Sequence, residues 1–196
     1  QGLTALDAAQ AFKTIVYGGA PMYLADIQRA LRVMGPRFVQ IYGQGETPMV
    51  GTALARAHLA DASHPRHAAR IASVGVAQTP VRIRIADGQG RDLPTGEIGE
   101  VLVKGDSVMA GYWRNPEADR AAFVNFEGRR YFRTGDLAVM DEDGYFFLKD
   151  RLKRMINVSG YKVWPAEVES ALYAHPAVQE ACVIAVPDRR EGRQGD

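Results

Sequence analysis

The chain has a single cysteine, Cys182, in 196 residues. An intrachain disulfide is therefore excluded, and a reducing, cytoplasmic setting is expected. Neither sign of charge is in excess: 24 basic against 23 acidic residues leave a net charge of +1. That balance gives no electrostatic reason to expect nucleic acid or an anionic membrane surface. No apolar run approaches the roughly 18 residues of a membrane helix, and no signal-peptide pattern is visible. The phosphate loop G-x-x-x-x-G-K-[ST], the elbow G-x-S-x-G, the metalloprotease helix H-E-x-x-H and any internal repeat are all missing. His58, His64 and His67 invite a zinc reading. No cysteine lies near them, their spacing matches no ligand pair and Pro65 interrupts, so a surface loop over 53–70 is expected instead.

The composition is that of an ordinary soluble globular chain, 46% apolar and 24% charged. Its length is enough for a respectable core. Residues 4–12 read as the end of a helix. Thr14–Tyr17 is a short buried strand running into Gly18-Gly19-Ala20-Pro21. Leu24, Ile27, Leu31 and Met34 then recur at helical spacing, Gly35-Pro36 stops the helix, and Phe38–Tyr42 is a second strand. Strand, helix, strand implies a right-handed crossover and a parallel pair. Ligands of such sheets sit beyond the carboxyl ends of the strands, where this chain has Gly18–Pro21 and Gly43-Gln44-Gly45-Glu46-Thr47-Pro48. Taken alone, each loop reads as a strand-to-helix turn.

From Ala72 the period changes to two. Val81, Ile83 and Ile85 alternate with Arg82 and Arg84, which read as the exposed face of a half-buried strand. Further strands are expected over Glu97–Lys104 and Val108–Trp113, and a short helix from Pro116 to Phe123. Short strands with glycine turns argue for a small barrel or sandwich.

Tyr131 to Glu169 is the most informative stretch. Arg133-Thr134-Gly135-Asp136 follows two aromatics; its aspartate could close a turn or accept hydrogen bonds from a sugar diol, and alone it favours the turn. Asp141-Glu142-Asp143-Gly144 joins two alternating runs as a hairpin turn. A calcium loop is ruled out because Leu152 stands where the twelfth-position glutamate is needed. Lys149–Arg154 is a basic elbow. Ser159-Gly160-Tyr161-Lys162 reads as a loop, and Pro165 opens a helix to 174. Ala181–Val186 reads as a buried strand holding Cys182 as an inert core thiol.

Three motifs in this stretch carry a resemblance: Y-x-R-T-G-D at 131–136, D-R-x-K at 150–153, and I-x-x-x-G-x-x-V-x-P-x-E-V-E at 156–169. In this order and spacing they resemble the adenylate-forming superfamily of acyl-CoA synthetases, luciferases and peptide-synthetase adenylation domains. G-G-A-P at 18–21, Y-G-Q-G-E at 42–46, G-E-I-G-E-V-x-V-K-G at 96–105 and G-Y-W-x-N-P-E at 111–117 extend the match over nearly the whole chain. The last two are mainly structural in the family.

The resemblance implies ATP-dependent activation of a carboxylic acid, fatty or aryl, through an acyl-adenylate. Transfer to CoA follows, with release of AMP and pyrophosphate. It implies that Gly19, Ala20 and Pro21 flank the adenine, that Tyr42 lies against its ring, and that Gly43, Gln44 and Gly45 line the nucleotide. Glu46 would hold Mg²⁺. Asp136 would bind the ribose hydroxyls, with Arg151 joining it near ribose and phosphate. Lys153 would be the hinge of a swinging small domain, and Ser159, Gly160 and Tyr161 would line the CoA channel. Gly45 replaces the family's threonine at the α-phosphate; Thr47 or a backbone N–H is left to supply that contact. Tyr17, Gly19 and Met49 are candidates to touch the acyl group but fix neither its length nor its aromaticity.

The expected architecture is α/β plus β: the end of an α/β nucleotide-binding subdomain over 1–70, a barrel-like β subdomain over 71–150, and the start of a small α+β lid domain over 151–196. The chain begins with Gln1 and ends in the polar run 191–196, and reads as a fragment of a longer polypeptide. The family's phosphate loop would precede it and the lid's catalytic lysine would follow it. Two rivals to the CoA ligase stand: an enzyme loading a carrier protein, and a non-catalytic AMP-binding module.

Overall fold

The computed structural model describes residues 11–20, 22–158, 161–175 and 177–186. Pro21, Ser159, Gly160 and most of the helix expected over 4–12 lie outside them. Strand β1 (Ile15–Gly18), helix α1 (Leu24–Met34) and strand β2 (Phe38–Tyr42) form the expected crossover, and β1 and β2 are parallel. Both strands therefore deliver the residues that follow them, 19–20 and 43–50, to one edge of the sheet. Strands β3 (Thr52–Leu54) and β4 (Val76–Ala77) add on antiparallel, giving the order β1-β2-β3-β4.

Residues 53–70 are not the expected surface loop. They hold the end of β3 and two short helices, α2 (Arg56–Ala60) and α3 (His67–Ile71), which bury Leu59 and Ile71. The histidines serve this packing. His67 Nε2 lies 3.0 Å from the Leu59 carbonyl, His64 Nδ1 accepts the Arg66 N–H, and the His58 ring meets Tyr145 edge-on.

The second sheet is antiparallel and curls into a half-barrel. Its strands are β5 (Val81–Ala86), β6 (Gly99–Gly105), β7 (Phe123–Phe126), β8 (Arg129–Met140) and β9 (Phe146–Arg151). The order is β5-β6-β8-β7, with β9 beside the other half of β8. The Asp141–Gly144 turn joins β8 to β9 as expected. Helix α4 (Pro116–Ala122) precedes β7 and is capped by Asn115, whose Oδ1 accepts the Ala118 N–H.

Three details differ from the pattern. Strand β7 replaces the one expected over 108–113, because the backbone donors there are used elsewhere: Met109 N–H goes to the Glu46 carbonyl and Tyr112 N–H to Asp119. Arg84 is not exposed. Its guanidinium stacks over Phe126 at 3.8 Å and Tyr131 at 4.9 Å and bonds Asp92, so the aromatic rings cover its stem and face. Residues 181–186 form no strand, and Cys182 is exposed. A strand needs a ladder partner, and none pairs with this run among the described residues. Among the described residues it is anchored by Val183 N–H donating to Glu169.

After β9 comes a single 3-10 turn (Leu152–Arg154), the small hairpin β10 (Ile156–Val158) and β11 (Tyr161–Val163), and helix α5 (Pro165–Tyr173). Tyr161 and Lys162 thus belong to a strand rather than a loop. Asp150 ties β9 to α5 by accepting the Ala166 N–H, and Arg154 pairs with the buried Glu169 at 2.6 Å.

The two sheets share apolar cores. Tyr42 and Val74 pack with Val81, Val101, Val103 and Phe146, while Tyr145 packs with Ile27, Phe38 and Leu54. The second cluster leaves one cost: the Tyr17 hydroxyl is buried with no partner among the described residues, and burial pushes its phenol up to about 12. Below the unfolded value of about 10 the proton is held in both states. Above it the unfolded chain ionises while the folded chain does not, so stability falls between about pH 10 and 12. Tyr17→Phe is expected to flatten that fall, and to raise neutral-pH stability by about 1 kcal/mol by deleting an unsatisfied group. Urea melts at neutral and alkaline pH check this; an alkaline slope equal to that of the unsubstituted chain refutes it.

Candidate functional site

Asp136 reaches its position through a bulge. Between the partner pairs Leu102↔Arg133 and Glu100↔Leu137, Thr134, Gly135 and Asp136 of β8 stand opposite Val101 alone. Gly135 has φ +69°, a conformation that favours glycine. The extra residues leave the β6 ladder and swing Asp136 toward β9, where it pairs with Arg151. Glu100 fills the bulge. Its carboxylate accepts two N–H groups of Arg133, at 2.9 and 2.6 Å, and the Gly135 N–H at 3.1 Å. Thr134 Oγ1 accepts the Asp136 N–H and donates to the Val101 carbonyl.

Three side chains from two segments converge on the carboxylate of Asp136, a residue only 6% exposed. Tyr42 Oη donates to Oδ2 at 2.8 Å, Gln44 Nε2 donates to the same oxygen at 2.8 Å, and Arg151 Nε lies 3.1 Å from Oδ1. Burial, and then the carboxylate itself, push the Tyr42 phenol well above its ordinary value, so it remains a donor. Gln44 also bonds the Thr134 carbonyl. A carboxylate offers about four acceptor sites, so three donors leave one. The Arg151 side chain is 62% exposed. It is therefore the donor most easily displaced, because an exposed ion pair is worth about 0–1 kcal/mol.

The loop 43–50 lies beside this carboxylate. Gly43 admits no side chain: a Cβ there would lie 2.6 Å from Met49 Cα. Gly45 faces open space with nothing within 4 Å, so a threonine would fit without overlap. Thr47 stands two residues further on. It is 1% exposed, and its hydroxyl accepts the Gln44 N–H at 3.0 Å. The same hydroxyl lies 3.3 Å from the Gln44 carbonyl, to which it donates, so it is engaged within the turn. Glu46 is held from outside the loop, since Tyr112 Oη donates to its Oε1 at 2.8 Å. Gly19 and Ala20 are exposed at the end of β1. Lys153 is exposed in the 3-10 turn with no ion-pair partner among the described residues, and Tyr161 is 77% exposed on β11.

The sequence reading named Asp136, Arg151, Tyr42, Gln44 and Glu46, and the fold brings them to one edge. It missed Tyr112, Glu100 and Asp150. The tyrosine and Glu100 lie inside stretches read as structural, and only their distant partners reveal a role. Asp150 lies inside the D-R-x-K motif at 150–153, but its partner, the Ala166 N–H, is 16 residues away.

A buried carboxylate with an open acceptor site, next to an exposed guanidinium and a glycine loop, suits a ligand that carries a diol and an anion. The comparisons with known proteins agree with that chemistry. The model of the AMP-binding enzyme family matches residues 3–113, and that of the AMP-binding enzyme C-terminal domain matches 167–195. The chain belongs to the AMP-binding enzyme family, within the adenylate-forming superfamily. It is 42% identical over 183 residues to a feruloyl-CoA synthase of Amycolatopsis sp., covering 93% of this chain and 35% of that protein. It is 40% identical over 191 residues to the fatty acid–[acyl-carrier-protein] ligase ScoC of Streptomyces coeruleorubidus, covering 97% and 35%. The crystal structure of ATP-bound MatB from Rhodopseudomonas palustris superposes with a TM-score of 0.78 at 34% identity, over 90% of this chain and 33% of that one. The chain thus spans about a third of the length of the relatives it matches. Among the described residues no helix is long and apolar enough to cross a membrane.

Proposed function

We propose that this chain carries the nucleotide grip of an ATP-dependent acid–CoA ligase. The observation that supports the reading most is the meeting of Tyr42, Gln44 and Arg151 on Asp136. In this reading Asp136 accepts the ribose hydroxyls, one at its open acceptor site and one where Arg151 withdraws. Arg151, released, turns to the phosphates. Tyr42, Gly43 and Gln44 flank the base on one side and Gly19, Ala20 and Pro21 on the other. The Gly45 backbone stands in for the family's threonine.

Glu46 is the residue that would hold magnesium. Among the described residues no group of three or more His, Cys, Asp or Glu could cage a metal. A lone carboxylate fits an ion that takes its other ligands from water and phosphate. When bound, such an ion offsets the charge that develops on the phosphates.

The reaction would run in two halves. The acid's carboxylate oxygen bonds the α-phosphorus of ATP, and the bridging P–O bond breaks to release pyrophosphate with that electron pair. The sulfur of CoA then bonds the acyl carbon. AMP leaves with the C–O electrons, and the thiol proton passes to solvent. Residues 1–70, 71–150 and 151–196 act as three units, with the lid swinging about Lys153 between the halves. Tyr161, with Ser159 and Gly160, borders the thiol's path. The substrate is a fatty or aryl acid, the setting is cytoplasmic, and no nucleic acid is involved. A carrier-protein thiol is the alternative acceptor, favoured by the likeness to ScoC.

The test is ATP–pyrophosphate exchange by the full-length protein across a panel of carboxylic acids, followed by free CoA or a holo carrier protein as acceptor. Acid-dependent exchange and a CoA thioester are expected. AMP binding without exchange for any acid would favour the non-catalytic module. The 196-residue chain alone is expected to bind AMP and to give no exchange; measurable exchange would overturn that expectation.

A further inference from the structure

Glu46 is gripped twice by the distant segment that holds Met109 and Tyr112. Met109 N–H donates to its backbone carbonyl at 2.8 Å, and Tyr112 Oη donates to its carboxylate oxygen Oε1 at 2.8 Å. The other oxygen, Oε2, has no partner among the described residues. Tyr112 is itself fixed from α4, because its N–H donates to Asp119 Oδ1 at 2.7 Å. Gly111 makes that approach possible: a Cβ there would lie 2.7 Å from Asp119 Oδ2. A hydrogen-bonded series therefore runs from the capped helix α4 through Asp119 and Tyr112 to Glu46.

The hydroxyl contributes little to folding. Tyr112 is 36% exposed, and a hydrogen bond so placed adds little net stability. Holding a metal-ligating carboxylate matters more: loss of an outer partner typically costs about 10–100-fold in metal affinity. We propose that Tyr112 is a positioning residue that holds one oxygen of Glu46 so that the other is presented to the magnesium of the bound nucleotide, with α4 setting the geometry through Asp119. This rests on the reading of Glu46 given above.

The test is a metal titration in the full-length protein. Mn²⁺ binding is followed by electron paramagnetic resonance in the presence of α,β-methylene ATP, which prevents turnover. Tyr112→Phe, which removes a single oxygen, is expected to weaken apparent metal affinity about tenfold. Its Tm and its metal-free affinity for the nucleotide should remain as in the unsubstituted protein. Glu46→Gln, measured alongside, should weaken metal binding at least as much. Unchanged metal affinity in Tyr112→Phe with a loss in Glu46→Gln overturns the positioning role and leaves Glu46 as the metal residue. Unchanged affinity in both variants overturns the two together.

Discussion

Asp136→Asn is expected to lower the affinity for AMP by a factor of roughly 30–150. The substitution keeps the shape of the side chain. Its one carbonyl oxygen can still accept from Tyr42 and Gln44, which now reach Oδ2 at 2.8 Å each. What it loses is the charge, and it turns an amide toward Arg151. Hydrogen bonds to a charged acceptor are worth about 1–1.5 kcal/mol more than those to a neutral one. Two ribose hydroxyls therefore lose about 2–3 kcal/mol, which converts to that factor. Calorimetric titration with AMP checks it. An affinity within about threefold of the unsubstituted protein would remove Asp136 from the nucleotide site, because so small a change is less than one such bond.

Gly75→Ala is expected to lower stability by about 3 kcal/mol or more, and Tm by roughly 6–12 °C for a chain of this size. Gly75 has φ +85°, and a Cβ built on it lies 2.0 Å from the Ala53 carbonyl oxygen. The left-handed conformation alone costs an alanine about 1–2 kcal/mol. The overlap cannot be relieved by a side chain turning away, because the obstacle is the backbone of β3, held on both sides by β2 and β4. Gly75 also lies on the seam between the sheets. Its carbonyl accepts the Phe146 N–H at 2.9 Å, and Val74 N–H returns to the Phe146 carbonyl at 2.8 Å. Phe146 begins the strand that ends at Arg151, so loosening this seam would also disturb the Asp136 pair. Thermal unfolding checks the prediction; a Tm within about 2 °C of the unsubstituted chain would mean that β3 yields.

Much of the site was legible because its elements repeat simple periods. The β1–α1–β2 crossover follows from an apolar face at helical spacing between two short apolar runs, and it sends both glycine loops to one edge. The Asp141–Gly144 turn sets the β8–β9 register as far as Ala138↔Leu148, and an extra residue at Lys149 then shifts it so that Arg151 stands opposite Asp136. What stayed hidden was mostly polar and distant. Gln44 lies 92 residues from the carboxylate it bonds, and Tyr112 lies 66 residues from Glu46. Hydrophobic periodicity says nothing about such pairs. It also misled over 181–186, where an apolar run met no ladder partner, and over Arg84, whose alternation implied solvent but whose guanidinium found two rings.

By itself the sequence determined the local choices: where the chain turns, which residues alternate, and which carboxylates and cations stand near glycines. These depend on neighbours a few positions away. Only the tertiary structure decided which acceptor sites of Asp136 are taken, that the Thr47 hydroxyl is engaged within its own turn, and that Glu46 is held by a tyrosine from the loop between β6 and α4. The reason is that a hydrogen bond is fixed by distance and direction between atoms, and those are set when the two sheets close on one another around Val74, Gly75 and Phe146.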